Sequence, residues 1–98
     1  MKRSTKSSSK ISRYNDLLSI PGVGKSMAQD LIDLGITRVA QLRKRSPEKL
    51  YVDLMKLRGS YIDRCVLYVF RCAVYFATTP DPDLELLKWW NWKDRTSI

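Results

Sequence analysis

Ile20-Pro21-Gly22-Val23-Gly24-Lys25-Ser26-Met27-Ala28-Gln29-Asp30-Leu31 is the stretch on which the fold turns. Proline followed by two glycines around an aliphatic residue cannot sit inside a helix, and it suits a tight turn whose backbone lies open to a ligand because no Cβ stands in the way. Directly afterwards Met27, Ala28, Leu31, Ile32 and Leu34 fall at helical spacing, so a helix is expected over Lys25 to Leu34 with Gly35 as its C-terminal cap. The unpaired N–H groups and positive dipole end of that helix point out of the turn, which makes an anion site suited to one phosphate. The candidate phosphate-binding residues are therefore Gly22, Val23, Gly24, Lys25 and Ser26. Lys25 adds charge and Ser26 a hydroxyl donor, while Ile20 and Val23 pin the hairpin into the core.

On either side the chain reads as short helices with punctuation. Upstream, Tyr14 to Ser19 is a short apolar-bearing segment. Downstream, Thr37 is placed to cap a short helix through Val39, Ala40 and Leu42. Ser46-Pro47-Glu48 combines a capping hydroxyl, proline at the first helical position and an acid in the first turn, and it leads into Leu50, Tyr51, Leu54, Met55 and Leu57. Arg58-Gly59-Ser60 breaks that helix, and Tyr61 to Ala77 reads as one long, almost wholly apolar helix central to the core. Thr79-Pro80-Asp81-Pro82-Asp83 is a turn with a helix cap, before a last short helix carrying Leu84, Leu86, Leu87, Trp89, Trp90 and Trp92.

An offset of about 37 residues aligns Tyr14 with Tyr51, Asp16 with Asp53, Leu17 with Leu54, Leu18 with Met55, Ile20 with Leu57 and Gly22 with Gly59. It also pairs Ala28 with Cys65, two small residues just inside the following helix. Two related units joined by a connector over Val39 to Arg43 account for this pattern. Gly24-Lys25-Ser26 also ends a nucleotide-binding loop of the form G-x-x-x-x-G-K-[ST], but its first glycine would be position 19, which is Ser19. The chain is also too short for that fold.

Residues Ile20 to Leu31 resemble the helix-hairpin-helix motif, in which an aliphatic-Pro-Gly-aliphatic-Gly hairpin joins two helices and a small residue follows on the second. The resemblance implies phosphate contacts at Lys25 and Ser26 and close packing at Ala28. It also implies an all-α, paired helix-hairpin-helix, SAM-domain-like bundle of five to six short helices with a C-terminal Trp-rich helix. On this reading residues 14–98 form one domain with units at 14–34 and 47–77. The second hairpin, Arg58-Gly59-Ser60-Tyr61, departs from the motif by placing Tyr61 where the second glycine belongs. Asp63-Arg64-Cys65-Val66-Leu67-Tyr68-Val69-Phe70-Arg71-Cys72-Ala73-Val74-Tyr75 and Leu87-Lys88-Trp89-Trp90-Asn91-Trp92-Lys93-Asp94 further resemble a small bacterial group, the pathogenicity-locus family, some members of which are described as mitomycin resistance proteins. What that resemblance implies is a fold and a DNA role, with no established reaction.

Charge agrees with a polyanionic partner. Lys and Arg total 18 against 10 Asp and Glu, a formal +8, and such excess favours nucleic acid first and an anionic membrane surface second. Lys2, Arg3, Lys6, Lys10 and Arg13 precede any acid and give +5, leaving 13 bases and 10 acids, or +3, for the rest. Residues 1–13, poor in apolar side chains, are expected to be a disordered basic tail. The tail has no apolar core of a secretory signal. The apolar runs Cys65–Phe70 and Cys72–Ala77 are interrupted by Arg71 and fall far short of the ~20 residues a spanning helix needs. Seven residues apart on one helix, Cys65 and Cys72 lie about 10 Å from each other, too far for a disulfide. Without histidine they also fall short of a zinc site. Both are read as small core residues in a reducing cytoplasm.

These readings combine into a cytoplasmic bacterial protein that binds duplex or branched DNA through backbone phosphates without sequence preference, using no cofactor or metal and catalysing no reaction. Auxiliary contacts are expected from Lys2, Arg3, Lys6, Lys10 and Arg13 in the tail and from Arg58. The alternative is a protein-interaction or scaffold module, or a homodimer, that uses the apolar long helix or the Trp-rich C-terminus. For Arg64 and Arg71, pairing to a carboxylate is favoured over anion binding, with Asp81, Asp83 or Glu85 as candidate partners. At least one of Trp89 and Trp92 is assigned to the core.

Overall fold

The computed structural model describes residues 16–93, and within them every regular element is helical. Residues 16–18 close a helical turn, followed by α1 (Lys25–Asp33), α2 (Pro47–Arg58) and α3 (Arg64–Thr78). Tighter 3-10 turns run over Val39–Leu42, Leu84–Leu87 and Trp89–Trp92. The basic tail of residues 1–13 and the upstream Tyr14 lie outside the described residues.

The long apolar helix is the hub. α3 packs against α2 and against all three 3-10 turns. It buries Leu67, Val69, Phe70, Cys72, Ala73 and Ala77, which join Leu17, Ile20, Leu31, Ile36, Leu42, Leu50 and Leu54 in one core. Each such aliphatic side chain withdrawn from water contributes about 1.5–3 kcal/mol before ordering entropy is set against it. The repeat register is visible here: Leu17 and its counterpart Leu54 are both fully buried, and Gly22 and Gly59 both adopt left-handed backbone, φ 86° and 70°. The two units then diverge, for Ile20 is buried while its counterpart Leu57 is 53% exposed.

Most ends follow their local chemistry. α1 stops in a Schellman arrangement: Gly35, at φ 92°, donates to the Ile32 carbonyl at 2.9 Å and Ile36 donates to the Leu31 carbonyl at 2.8 Å. Ile36 and Leu31 are both buried, supplying the apolar contact that accompanies this motif. At the start of α2, the Ser46 hydroxyl accepts from the Lys49 amide at 3.2 Å with Pro47 as first helical residue.

Three local expectations are corrected. The long helix begins at Arg64, not Tyr61, because the Asp63 carboxylate caps it by accepting from the Cys65 amide at 2.9 Å. Thr37 does not cap the Val39–Leu42 turn. Its entrance amides go instead to side chains that reach in: Asp16 accepts from the Val39 amide at 2.6 Å, and Gln41 accepts from Thr37 and Arg38 at 2.6 and 2.9 Å. The C-terminal helix is two 3-10 turns separated by extended backbone at Lys88. Side chains hold that shape, since Asn91 donates to the Glu85 carbonyl at 2.6 Å and the Trp92 indole N–H to the Leu86 carbonyl at 2.7 Å.

Arg71 is structural, as expected, but its partners differ from those anticipated. Only 7% exposed, its guanidinium donates to Glu48 on α2 at 3.1 Å and to the Trp92 carbonyl at 2.8 Å. It thereby ties α2, α3 and the C-terminal turn together. Trp92 is buried beside Tyr75, ring centres 5.4 Å apart. Both cysteines are free thiols: Cys72 is fully buried and Cys65 half-buried.

Candidate functional site

The first hairpin is anchored from inside and open from outside. Ile20 and Val23 are buried, and the Val23 amide closes the turn by donating to the Ile20 carbonyl at 3.1 Å. Val23 thus shapes the site and has no amide left for a ligand. Gly22, Gly24, Lys25 and Ser26 are all exposed. Among the described residues no hydrogen bond engages their backbone amides or that of Met27, a fifth donor not singled out from the sequence. Met27 follows from the general rule that a helix leaves its first-turn amides unpaired.

The two glycines sit in different surroundings. At Gly22 the backbone is left-handed, and a Cβ built there would meet the Trp89 ring 3.0 Å away. The half-buried Trp89 therefore lies directly on the hairpin. Residues so far apart in sequence carry no local signal of that contact. At Gly24 the backbone is extended, φ −99° and ψ −172°, and a Cβ would meet nothing within 4 Å. The fold itself gives Gly24 no reason to be glycine.

Compared with the two other α-helices, the start of α1 is unusual. Ser46 caps α2 and Asp63 caps α3 through their side chains, whereas Gly24 offers α1 none, and no acid stands in its first turn. Lys25 instead places a positive charge at the positive end of the helix, an arrangement unfavourable to the isolated fold. At the second hairpin Gly59 keeps the left-handed turn, but Tyr61 is 73% exposed and Asp63 occupies the helix start with negative charge. The Tyr51 hydroxyl, its pKa pushed up by burial and by hydrogen bonding with Tyr61, donates to the Ile62 carbonyl just before it.

The basic residues divide. Arg58 donates to Asp30 at 2.6 Å and to Asp33 at 2.8 Å, both on α1. Those two hydrogen bonds raise its pKa above the usual arginine value, and the same contact, aided by Gln29, holds the Asp33 carboxyl below the ordinary range. Arg58 thus fastens the end of α2 to the helix behind the first hairpin, with its charge already matched by two carboxylates. Arg43 donates to the Ala77 carbonyl at 3.0 Å, at the negative end of α3. Arg64 and Arg71 flank the Tyr68 ring at 5.9 and 5.7 Å. Lys2, Arg3, Lys6, Lys10 and Arg13 lie outside the described residues. No helix among the described residues is long and apolar enough to cross a membrane.

Comparison with known proteins places the chain. A family model described as Pathogenicity locus matches residues 10–97. A relative named Mitomycin resistance protein McrB, from Streptomyces lavendulae, is 35% identical over 78 residues, covering 80% of this chain and 70% of that protein. No solved structure matches. A family match running through the hairpin, all three α-helices and the tryptophan segment means that the chain belongs to the Pathogenicity locus family.

Proposed function

We propose that this protein binds DNA through its phosphate backbone, without sequence preference, at a helix-hairpin-helix formed by residues 14–34. The open amides of Gly22, Gly24, Lys25, Ser26 and Met27 hold one phosphate, and Lys25 and the Ser26 hydroxyl assist. The carrying observation is the uncapped start of α1 beside two helices capped by their own side chains. Asp, Asn, Ser or Thr before Lys25 would suit the fold better. A glycine with open space around it and a lysine next to it suit an anion arriving from outside.

A structural role for the second hairpin is part of the same reading, supported by the Asp63 carboxylate, which accepts from the Cys65 amide at the start of α3 and would repel a phosphate there. Contacts of this kind fix position on a duplex and carry no base information. The basic tail extends the contact as a cytoplasmic DNA-binding arm. An interaction module using the long helix would have to rely on residues other than Leu67, Val69, Phe70 and Ala73, which lie inside the chain's own core.

Duplex affinity measured against salt tests the proposal. Each phosphate neutralised contributes about 0.9 to the log-log slope. Gly24→Asp is expected to weaken binding at least tenfold and to reduce the slope. Unchanged affinity and slope in that variant would overturn the assignment.

A further inference from the structure

Beside the hairpin stands a side chain that the fold does not use. Trp89 rests on Gly22, and Trp90 meets Trp89 edge-on, with ring centres 5.6 Å apart and planes at 84°. Trp92, two residues on, is almost wholly buried, yet Trp90 is 55% exposed. A large indole left in water contributes little to the core, where Trp89 and Trp92 already cover this end of the bundle. The edge contact with Trp89 orients the ring before any partner arrives, which lowers the ordering cost of stacking on it.

We propose that Trp90 is a stacking platform for an unpaired base, and that the favoured DNA is one exposing unpaired bases next to a held phosphate: a single strand, a frayed end or a branch. The inference rests on the phosphate reading of the hairpin. Through Trp89 the platform is fixed to Gly22, so a strand with its phosphate on the hairpin presents a neighbouring base within one or two nucleotides of Trp90. Every base has a π-face, so such stacking is tolerant of sequence, in keeping with a site whose other contacts are backbone amides. Exposed Lys93 lies three residues beyond Trp90 in sequence, matching a polyanionic strand better than an apolar protein surface, while Lys88 on the other side is held by Glu85 at 3.1 Å.

The experiment compares the full chain with Trp90→Ala, Trp90→Phe and Gly24→Asp, each titrated with a single-stranded oligonucleotide and with its duplex at one salt concentration. Thermal melts confirm folding, and sedimentation reports mass. Trp90→Ala is expected to lose about 5- to 150-fold in single-strand affinity with duplex affinity nearly unchanged, and Trp90→Phe to retain most of it. Gly24→Asp is expected to weaken both. Equal loss on both DNA forms, or no loss, in Trp90→Ala overturns the platform, as does a dimer that this variant converts to monomer with its strand preference intact. Should the Trp90 effect persist while Gly24→Asp changes nothing, the hairpin reading fails and the platform stands alone.

Discussion

Gly22 and Gly24, two positions apart, are glycine for opposite reasons, and their substitutions separate folding from binding. Gly22 holds left-handed backbone under the Trp89 ring. Gly22→Ala is expected to destabilise the fold by about 1–2 kcal/mol from the backbone alone, seen as a lower urea midpoint. Gly24 holds neither constraint. Gly24→Asp adds the missing cap and a negative charge at the dipole's positive end, so it is expected to raise stability by up to about 1 kcal/mol while weakening DNA binding. A variant that is better folded and worse bound cannot be explained by unfolding. The thiols offer a third check at this scale: burial pushes the Cys72 pKa up to about 11. In the native protein Cys72 is expected to resist alkylation at mildly alkaline pH and to react on unfolding, with the half-buried Cys65 modified first. Because the folded pKa lies above the thiol's unfolded value near 8.5, the contribution of Cys72 to stability is intact below that pH and is lost as pH rises towards 11.

At the scale of elements, legibility followed distance along the chain. Ser46-Pro47-Glu48 and Gly35 were readable because a cap acts on amides and carbonyls within a few residues of itself. Asp63 was not, because the apolar run from Tyr61 onwards obscured a helix start three residues later. The partner of Arg71 could not be read locally at all, since Glu48 sits on another helix. Arg71 is the most buried charged side chain in any ion pair among the described residues, 7% exposed, whereas the Lys49–Asp53 and Lys88–Glu85 pairs lie within single elements and are more open to solvent. Glu48→Ala leaves the buried guanidinium with backbone carbonyls only and is expected to cost about 1.5–3 kcal/mol. Removing Asp53 should cost about 0.5 kcal/mol or less. Urea melts of both variants check the ranking. The tryptophan segment was legible as partly core, through Trp92, but not as two 3-10 turns, because the Asn91 and Trp92 side chains that set its shape compete for carbonyls six residues back.

For the whole molecule, net charge is the coarsest guide. Of the bases in residues 16–93, Lys49, Arg58, Arg71 and Lys88 meet carboxylates and Arg43 a helix end, so where the unpaired bases stand says more about a polyanionic partner than the net +3 of the body. The clasp between Arg58 and the Asp30–Asp33 pair also carries a pH signature. Asp33 has its carboxyl lowered in the folded state, so its contribution is present above roughly pH 4, the unfolded value, and is lost as pH falls below it. Arg58→Ala is expected to flatten that acid limb by lowering stability near neutrality, with little effect at pH values where Asp33 is protonated in both states.

A phosphate held on backbone amides of the first hairpin would be read directly by amide NMR of the full chain titrated with a short DNA duplex. The largest shifts are expected at Gly22, Gly24, Lys25, Ser26 and Met27, with little change at Ser60 to Arg64. Shifts confined to the basic tail, or as large at the second hairpin as at the first, would contradict a phosphate site on the first hairpin.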